Sequence, residues 1–347
     1  MSKIIIQNGN MCELDLPLKF AQKLYNEFAI RHPNAFYLRT RQRGMQNWDG
    51  KIHYITKTGQ FKIGLLPKVY DMCIEMGIKP KVVDMRQPLP KVSKVVTNIG
   101  KYKLRPEQEK AVKSVINNRV GDTPFHIGVL DYTVNAGKTL IMSSLYLTYK
   151  KQLKTLLITN DSDWLNQARE EFKQYLPGED ITFVQGKVLN WSNFTIGMVQ
   201  SISRNMRFYQ KELSQIDMVL VDEADQGGSK QYQNVITRLF NTRIRIGLSG
   251  TIYMSKLAKD KVKNMNLECF FGKVIAEFKL KDSIKKGYST KTIVKMVPGK
   301  PWYGNWESDC ISYKEIYDDS ITENNTRGPW LIIDYDGILI KVDILLL

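Results

Sequence analysis

Five short, almost continuous apolar runs recur between residues 125 and 249: Phe125–Leu130, Thr155–Thr159, Phe194–Val199, Asp217–Val221 and Arg245–Ser249. No other feature limits the fold as much. A strand with one face in water alternates apolar and polar residues, whereas an unbroken apolar strand must be covered on both faces. The intervening segments supply that cover. Arg105-Pro106 opens a helix with Ala111, Val112, Val115 and Ile116 on its apolar face, and Lys138–Lys150 is a second. Asp161 or Ser162 caps a third, which carries Trp164 and Leu165. Strands alternating with helices in this way predict an α/β fold, a parallel sheet with flanking helices.

Residues 1–95 read differently, as a small basic α+β domain. Lys3–Gln7 and Met11–Asp15 predict strands around a Gly9-Asn10 turn. Pro17 stands where a first helical residue would, and Leu18, Ala21, Leu24, Tyr25 and Phe28 follow at helical spacing. Strands are expected at Ala35–Arg41, Lys51–Thr56 and Phe61–Leu65, then a helix from Pro67 to a terminal Gly77. Pro80, Pro88 and Pro90 mark the boundary to the larger unit. The expected division is 1–95, then 96–280 for the sheet-bearing domain. Residues 281–347 are expected to hold a linker and either the truncated start of a further domain or an aberrant tail.

Charge narrows the partners. The chain has 51 Lys and Arg against 35 Asp and Glu, a formal +16, and residues 1–100 hold 16 of the basic and 7 of the acidic side chains, or +9. Such an excess favours polyanions, chiefly nucleic acid, through release of condensed counterions. A basic enzyme without a nucleic-acid partner is the alternative on charge alone. No stretch reaches the ~18 apolar residues of a membrane span, and the N-terminal apolar run is too short for a signal peptide. Cys12, Cys73, Cys269 and Cys310 lie far apart with no C-x-x-C pair, so neither zinc nor a disulfide framework is indicated. A monomer with reduced thiols in a cytoplasm is expected, with no membrane partner.

Two motifs carry the chemistry. Asp131-Tyr132-Thr133-Val134-Asn135-Ala136-Gly137-Lys138-Thr139 lies between an apolar strand and a helix, the setting of a phosphate loop. Backbone N–H groups of Asn135, Ala136 and Gly137 would cradle phosphate oxygens at the positive end of the helix dipole. Lys138 would reach the β- and γ-phosphates of ATP, and the Thr139 hydroxyl would ligate Mg²⁺. Two positions depart from G-x-x-x-x-G-K-[ST]: Tyr132 stands at the first glycine, and Asn135 stands where a further glycine is common. Asn tolerates a left-handed backbone better than most residues, so the second exchange is mild. Met218-Val219-Leu220-Val221 then delivers Asp222-Glu223-Ala224-Asp225 to a strand's C-terminal end, where open α/β sheets bind ligands. Asp222 would hold Mg²⁺, and Glu223 would orient or deprotonate the attacking water. Alone, the first motif also reads as a basic helix start and the second as a solvated acidic turn. Together, in this order and each after an apolar strand, they specify an NTP site.

With these residues in place the chain resembles superfamily 2 helicases, most closely the UvsW-like branch-migrating helicases of bacteriophages, over roughly residues 30–325. The resemblance implies a RecA-like sheet, and it implies that Gln108 of Arg105-Pro106-Glu107-Gln108 reads adenine. Thr159 with Trp164-Leu165 and Gln167 is similar to motif Ia, and Gly197-Met198-Val199-Gln200-Ser201 to the nucleic-acid-contacting motif that follows. Leu248-Ser249-Gly250-Thr251 resembles motif III, which implies that Ser249, Gly250 and Thr251 couple the ATP site to strand movement. Phe36, Arg43 and Asn47-Trp48-Asp49-Gly50-Lys51, with Gly64-Leu65 after them, resemble the small domain preceding the motor in the UvsW group. DEAD-box RNA helicases fit less well, since they carry Ser-Ala-Thr where this chain has Ser249-Gly250-Thr251.

The implied function is that of an ATP-dependent DNA helicase or translocase acting on branched DNA or single-strand/duplex junctions, in recombination, repair or replication. For a phage protein the implied location is the cytoplasm of the bacterial host. The second motor domain's Q-x-x-G-R-x-x-R motif does not occur in the chain, and the segment Gly328 to Leu347 matches no motif of the family. A truncated form with weak activity on its own is therefore expected. A non-motor ATP- and nucleic-acid-binding fragment and the motor subunit of a restriction enzyme are the alternatives.

The N-terminal segment adds candidate DNA contacts. Arg39, Arg41, Arg43 and Lys51 interleave with Tyr37, Trp48 and Tyr54. In a strand, residues 39, 41 and 43 would share one face. There cations would neutralise phosphates while an aromatic stacks on an unpaired base. Trp48 fits a stacking role and a place in the small core equally well.

Overall fold

The computed structural model describes residues 2–41, 45–92, 94–149, 152–186, 188–250, 252, 261–289, 292–298, 330–335 and 338–346. Contacts divide the chain into two compact units, Met1–Lys279 and Leu280–Leu347.

The first unit opens with β1 (Lys3–Ile6), β2 (Met11–Asp15), α1 (Leu18–Glu27), β3 (Ala29–Arg31), α2 (Ala35–Arg41), β4 (Lys51–His53), β5 (Gln60–Lys62), α3 (Leu66–Glu75) and β6 (Lys81–Asp84). Strands β5, β2, β1 and β6 form a sheet in that order, and β3 and β4 a separate ladder. Alternation fixes the register: Ile4 pairs with Leu14 and Ile6 with Cys12, and all four side chains are buried. Short ladders β7 (Asn98–Ile99) with β8 (Tyr102–Lys103), and β9 (Arg119–Val120) with β10 (Thr123–Pro124), flank α4 (Pro106–Asn117).

The remaining elements of this unit are β11 (His126–Tyr132), α5 (Lys138–Thr148), β12 (Thr155–Thr159), α6 (Ser162–Tyr175), β13 (Ile181–Gln185), β14 (Val188–Leu189) and β15 (Phe194–Met198). They are followed by α7 (Val199–Arg204), α8 (Gln210–Ser214), β16 (Met218–Asp222), α9 (Lys230–Ile236), β17 (Ile244–Ser249), α10 (Lys261–Phe271) and β18 (Val274–Phe278). Their sheet has the order β14-β13-β15-β12-β16-β17-β11-β18. Every pairing in it is parallel except that of the short edge strand β14 with β13. Each residue of β11, β12, β16 and β17 is buried, which accounts for the unbroken apolar runs of the sequence. One core cluster contains Val219, Val221 and Phe271, and a second contains Leu130, Leu220 and Ile246. The neighbours Val219, Leu220 and Val221 alternate between the clusters, as successive side chains of a strand must.

Three expected strands differ. Ala35–Arg41 is a helix, α2, and not a strand. Its aromatic and threonine residues favour strands, but the inward positions are Ala35, which is buried, and the half-buried Leu38, an i, i+3 spacing. Phe36 and Tyr37 are left exposed, so β-type alternation has no core to face. At about 100° per residue, Arg39 and Arg41 point to different sides of the helix. Arg43 lies outside the described residues. The strand expected at Phe61–Leu65 ends at Lys62 and passes into a 3-10 turn, Ile63–Leu65. That expected from Lys51 to Thr56 pairs only as far as His53, apart from a single bridge at Ile55.

The small sheet is sewn to the large one. Gly9 lies against the carbonyls of Leu239, Phe240 and Thr242, where a Cβ would come within 2.7–2.9 Å. Fully buried Arg245, on β17, donates to Gly9 O at 2.6 Å, Asn10 Oδ1 at 2.8 Å and Phe270 O at 3.1 Å. Tyr54 Oη donates to Asn266 Oδ1 of α10 at 3.0 Å, tying down the chain that leaves β4. In the second unit, α11 (Leu280–Lys285) precedes an antiparallel sheet in the order β19 (Thr292–Pro298), β21 (Ile338–Leu346), β20 (Trp330–Tyr335). No helix among the described residues is long and apolar enough to cross a membrane.

Candidate nucleotide-binding site

The turn from β11 into α5 is built on two left-handed residues, Asn135 (φ 63°) and Gly137 (φ 76°). Asn accepts that conformation at modest cost, which explains how the loop forms without a glycine at 135. Tyr132 is not part of the turn. It is the last residue of β11, wholly buried, with its hydroxyl donating to Glu107 O at 2.8 Å and its ring tilted against Phe278. The cradle therefore spans Thr133 to Gly137. It opens onto the first turn of α5, where Lys138 and Thr139 begin the helix.

Gln108, in the first turn of α4, braces the cradle. Its Nε2 donates to Ala136 O at 2.9 Å, and its Oε1 accepts from the Arg105 backbone N–H at 2.9 Å. Arg105 adds a bond from its guanidinium to Asn135 O at 3.2 Å. Both polar ends of the Gln108 amide are thus engaged by the protein itself. Arg105 and Tyr132 as supports of the loop were not singled out in the sequence; their backbone-directed bonds have no spacing signature.

Strand β16 brings the acidic motif to the same place. Lys138 Nζ lies 3.3 Å from Glu223 Oε1 and 3.7 Å from Asp222 Oδ1, although 84 residues separate Lys138 from Asp222. Asp222 is almost wholly buried, and its Oδ1 has no hydrogen-bond partner. With Lys138 Nζ 3.7 Å away, beyond hydrogen-bond reach, this oxygen can still serve as a cation ligand. The site thus fits Mg²⁺, which takes one or two protein oxygens and keeps several waters. Glu223 is more exposed and adopts a left-handed backbone (φ 50°), an unfavourable conformation for a non-glycine residue, at the point where the chain leaves the strand.

Burial pushes the Asp222 carboxyl up to about 6 against the pull of Lys138, and the neighbouring Glu223 charge adds to the rise. Between the carboxyl's ordinary value of 3.8 and about 6 the folded protein holds a proton that the unfolded chain has released. Metal-free protein is therefore expected to lose up to about 3 kcal/mol as pH rises through that window, at ~1.36 kcal/mol per pKa unit. Thermal melts in chelator at pH 4 to 7 check this, since Asp222→Asn should remove this part of the slope. An unchanged slope in Asp222→Asn would show that Asp222 is not the titrating group.

Beyond the phosphate cradle the other motifs converge at the same end of the sheet, past the C-terminal ends of its inner strands. Ser249 Oγ donates to Asp225 Oδ1 at 3.2 Å, joining the end of β17 to the acidic motif. Gly250 lies against the cradle's first residue, where a Cβ would be 3.3 Å from Thr133 Cα. Thr251 lies outside the described residues. At the end of β12, Asn160 Nδ2 donates to Gln226 Oε1 at 2.6 Å, while Asn160 O accepts from Gln200 Nε2 at 3.3 Å. Ser201 Oγ accepts from Gly186 N at 2.9 Å. Hydrogen bonds thus run from the residue after Asp225 to the motif at 197–201. In the N-terminal region Trp48 Nε1 donates to Lys51 O at 2.9 Å, and His32 meets the indole edge-on.

Residues 101–254 match the family model of the res subunit of type III restriction enzymes. The ATP-dependent DNA helicase UvsW of Enterobacteria phage T4 is 22% identical over 228 residues, covering 59% of this chain and 43% of that protein. The chain therefore spans less than half the length of this relative. Two crystal structures of the phage T4 UvsW protein resemble it with TM-scores of 0.61 and 0.60, at 22% and 20% identity. Each match covers 80% of this chain, and 99% and 56% of the respective solved chains. The RecA-like α/β fold expected from the motifs is borne out, and the chain is similar to the UvsW helicase both in sequence and in fold, as the motif resemblance implied.

Proposed function

We propose that this chain, a relative of the UvsW-like superfamily 2 helicases, is the ATP-binding motor portion of a DNA helicase or translocase. One observation carries the reading: Lys138 and the Asp222–Glu223 pair, from two distant motifs, meet within 3.7 Å beside a cradle of left-handed residues. In this reading the backbone of Asn135, Ala136 and Gly137 binds the phosphates of ATP, and Lys138 faces the β- and γ-phosphates. Bound Mg²⁺ would neutralise charge on the transferred phosphoryl, held by Thr139 and Asp222. Glu223 takes the proton of the attacking water. Gln108, besides bracing the cradle, contributes to the adenine side of the site. Ser249 senses the γ-phosphate end through Asp225, and Gly250 and Thr251 complete the coupling motif. Gln200, linked through Asn160 and Gln226 to the acidic motif, lies with Ser201 on the DNA side, and the basic N-terminal region adds affinity for the DNA backbone. Branched DNA is the proposed substrate, the bacterial cytoplasm the proposed location, and a monomer the proposed state. The family model's name favours a second reading, the motor of a restriction complex, which uses the same site.

Lys138→Ala tests the site. Loss of a charge-assisted contact of ~1.5–3 kcal/mol should weaken binding of a labelled non-hydrolysable ATP analogue with Mg²⁺ by roughly 10- to 150-fold. An analogue bound equally well by the folded variant would remove the site assignment.

A further inference from the structure

The aromatic side chains around α2 are not equivalent. Trp48 is engaged through its indole N–H with Lys51 O, and the Tyr37 ring carries the Arg41 guanidinium at 4.9 Å. Phe36, in contrast, is 80% exposed. It borders a cleft of about 460 Å³. Phe36, Arg39 and Thr40, at i, i+3 and i+4 of α2, form one wall. Arg31 of β3 and Lys51 of β4 line the other. Gly50 (φ 78°) allows the close approach: a Cβ there would sit 3.1 Å from that of Ala35.

The cleft's charge is uneven. Among the described residues, no carboxylate lies within 4.0 Å of the Arg31, Arg39 or Lys51 cations. The carboxylate of Asp49, also in the lining, is taken up by the Lys51 backbone N–H at 2.9 Å and His53 Nε2 at 2.7 Å. Three cations without a carboxylate partner within 4.0 Å among the described residues, around an exposed aromatic face, complement a phosphodiester strand with a free base. The volume admits one nucleobase and its sugar, whereas a stacked base pair offers no free face.

We propose that this cleft holds one unpaired nucleotide of a DNA strand, with Phe36 stacked on the base and Arg31, Arg39 and Lys51 facing the phosphates. The inference rests on the DNA-motor reading above and adds to it a preference for junctions bearing an unpaired arm. The test uses the full chain with a forked DNA carrying 2-aminopurine in its single-stranded arm, beside a blunt duplex of equal length. Phe36→Ala, a substitution at an exposed position, should weaken fork binding by roughly 5- to 150-fold and abolish 2-aminopurine quenching. Its duplex affinity and salt slope should not change, and Phe36→Trp should restore the fork. Arg31→Ala with Arg39→Ala should flatten the salt dependence on the fork, by up to ~0.7 in log–log slope per lost single-strand phosphate contact. Unchanged fork binding by Phe36→Ala, or an equal loss on fork and duplex, overturns the stacking proposal and leaves the DNA reading standing. Failure of the wild-type chain to bind either DNA overturns both.

Discussion

Replacing Glu223 by Gln should lower the rate of ATP hydrolysis by about 10²–10⁴-fold, the contribution of a positioned general base. Nucleotide affinity should change little. The amide keeps an oxygen for Lys138, whose Nζ is 3.3 Å from Glu223 Oε1, but it cannot accept a proton from water. In the proposed mechanism Glu223 suits the role because its side chain is partly open to solvent, whereas Asp222 beside it is buried. Single-turnover hydrolysis of labelled ATP with and without forked DNA separates chemistry from binding. A variant hydrolysing at the wild-type rate would remove Glu223 from the mechanism. Tight binding without turnover would fix the division of labour between the two neighbouring carboxylates.

The second large effect is on stability. Gly64→Ala should destabilise the Met1–Lys279 unit by ~3 kcal/mol or more, because an added methyl has nowhere to go. A Cβ at this position would lie 2.1 Å from the Glu268 carbonyl oxygen and 2.6 Å from that of Cys269. These are backbone atoms at the end of α10, so no rotamer change relieves the contact. At ~2–4 °C per kcal/mol for a unit of this size, the melting temperature should fall by about 6–12 °C. Gly77→Ala serves as a comparison, since its positive φ (77°) is strained for alanine but nothing lies within 4 Å. Equal melting temperatures for the two variants would mean that the 3-10 turn and α10 are not in close contact.

The parallel sheet was legible because burial on both faces leaves an unmistakable composition. The apolar run Thr155–Thr159 coincides with β12 to the residue, and the run Asp217–Val221 is offset from β16 by one residue at each end. The meeting of Lys138 with Asp222 and Glu223 was likewise implied, since each motif sits at a strand's C-terminal end. Local preference misled where burial was slight. In Ala35–Arg41 the aromatic side chains point to water, so their strand propensity had nothing to act on and a helix formed instead. Strand β13 carries Ile181, Phe183 and Val184 yet was not distinguished from a loop, its burial being mostly partial. Two-residue ladders such as β7 with β8 are set by tertiary contact and leave almost no periodic trace. The supports of the nucleotide loop were hidden for a related reason. Arg105 and Tyr132 act on backbone carbonyls, and a carbonyl carries no sequence identity.

Arg245 gives the molecule a joint that cannot act as a hinge. Burial pulls its guanidinium down to about 9, yet at neutral pH it remains a cation, with carbonyl acceptors on both sides of the seam. Sliding the Gly9-Asn10 turn even an ångström would strip that buried charge of two of its three acceptors, away from water, at a cost of several kcal/mol. Ser249 lies four residues further along the same strand, only ~13 Å away at strand spacing. Whatever the N-terminal region holds is therefore carried in the coordinate frame of the nucleotide-binding sheet, as a fixed fence beside a machine and not as a swinging arm. In the proposed DNA motor, displacement of the strand would then originate away from this seam.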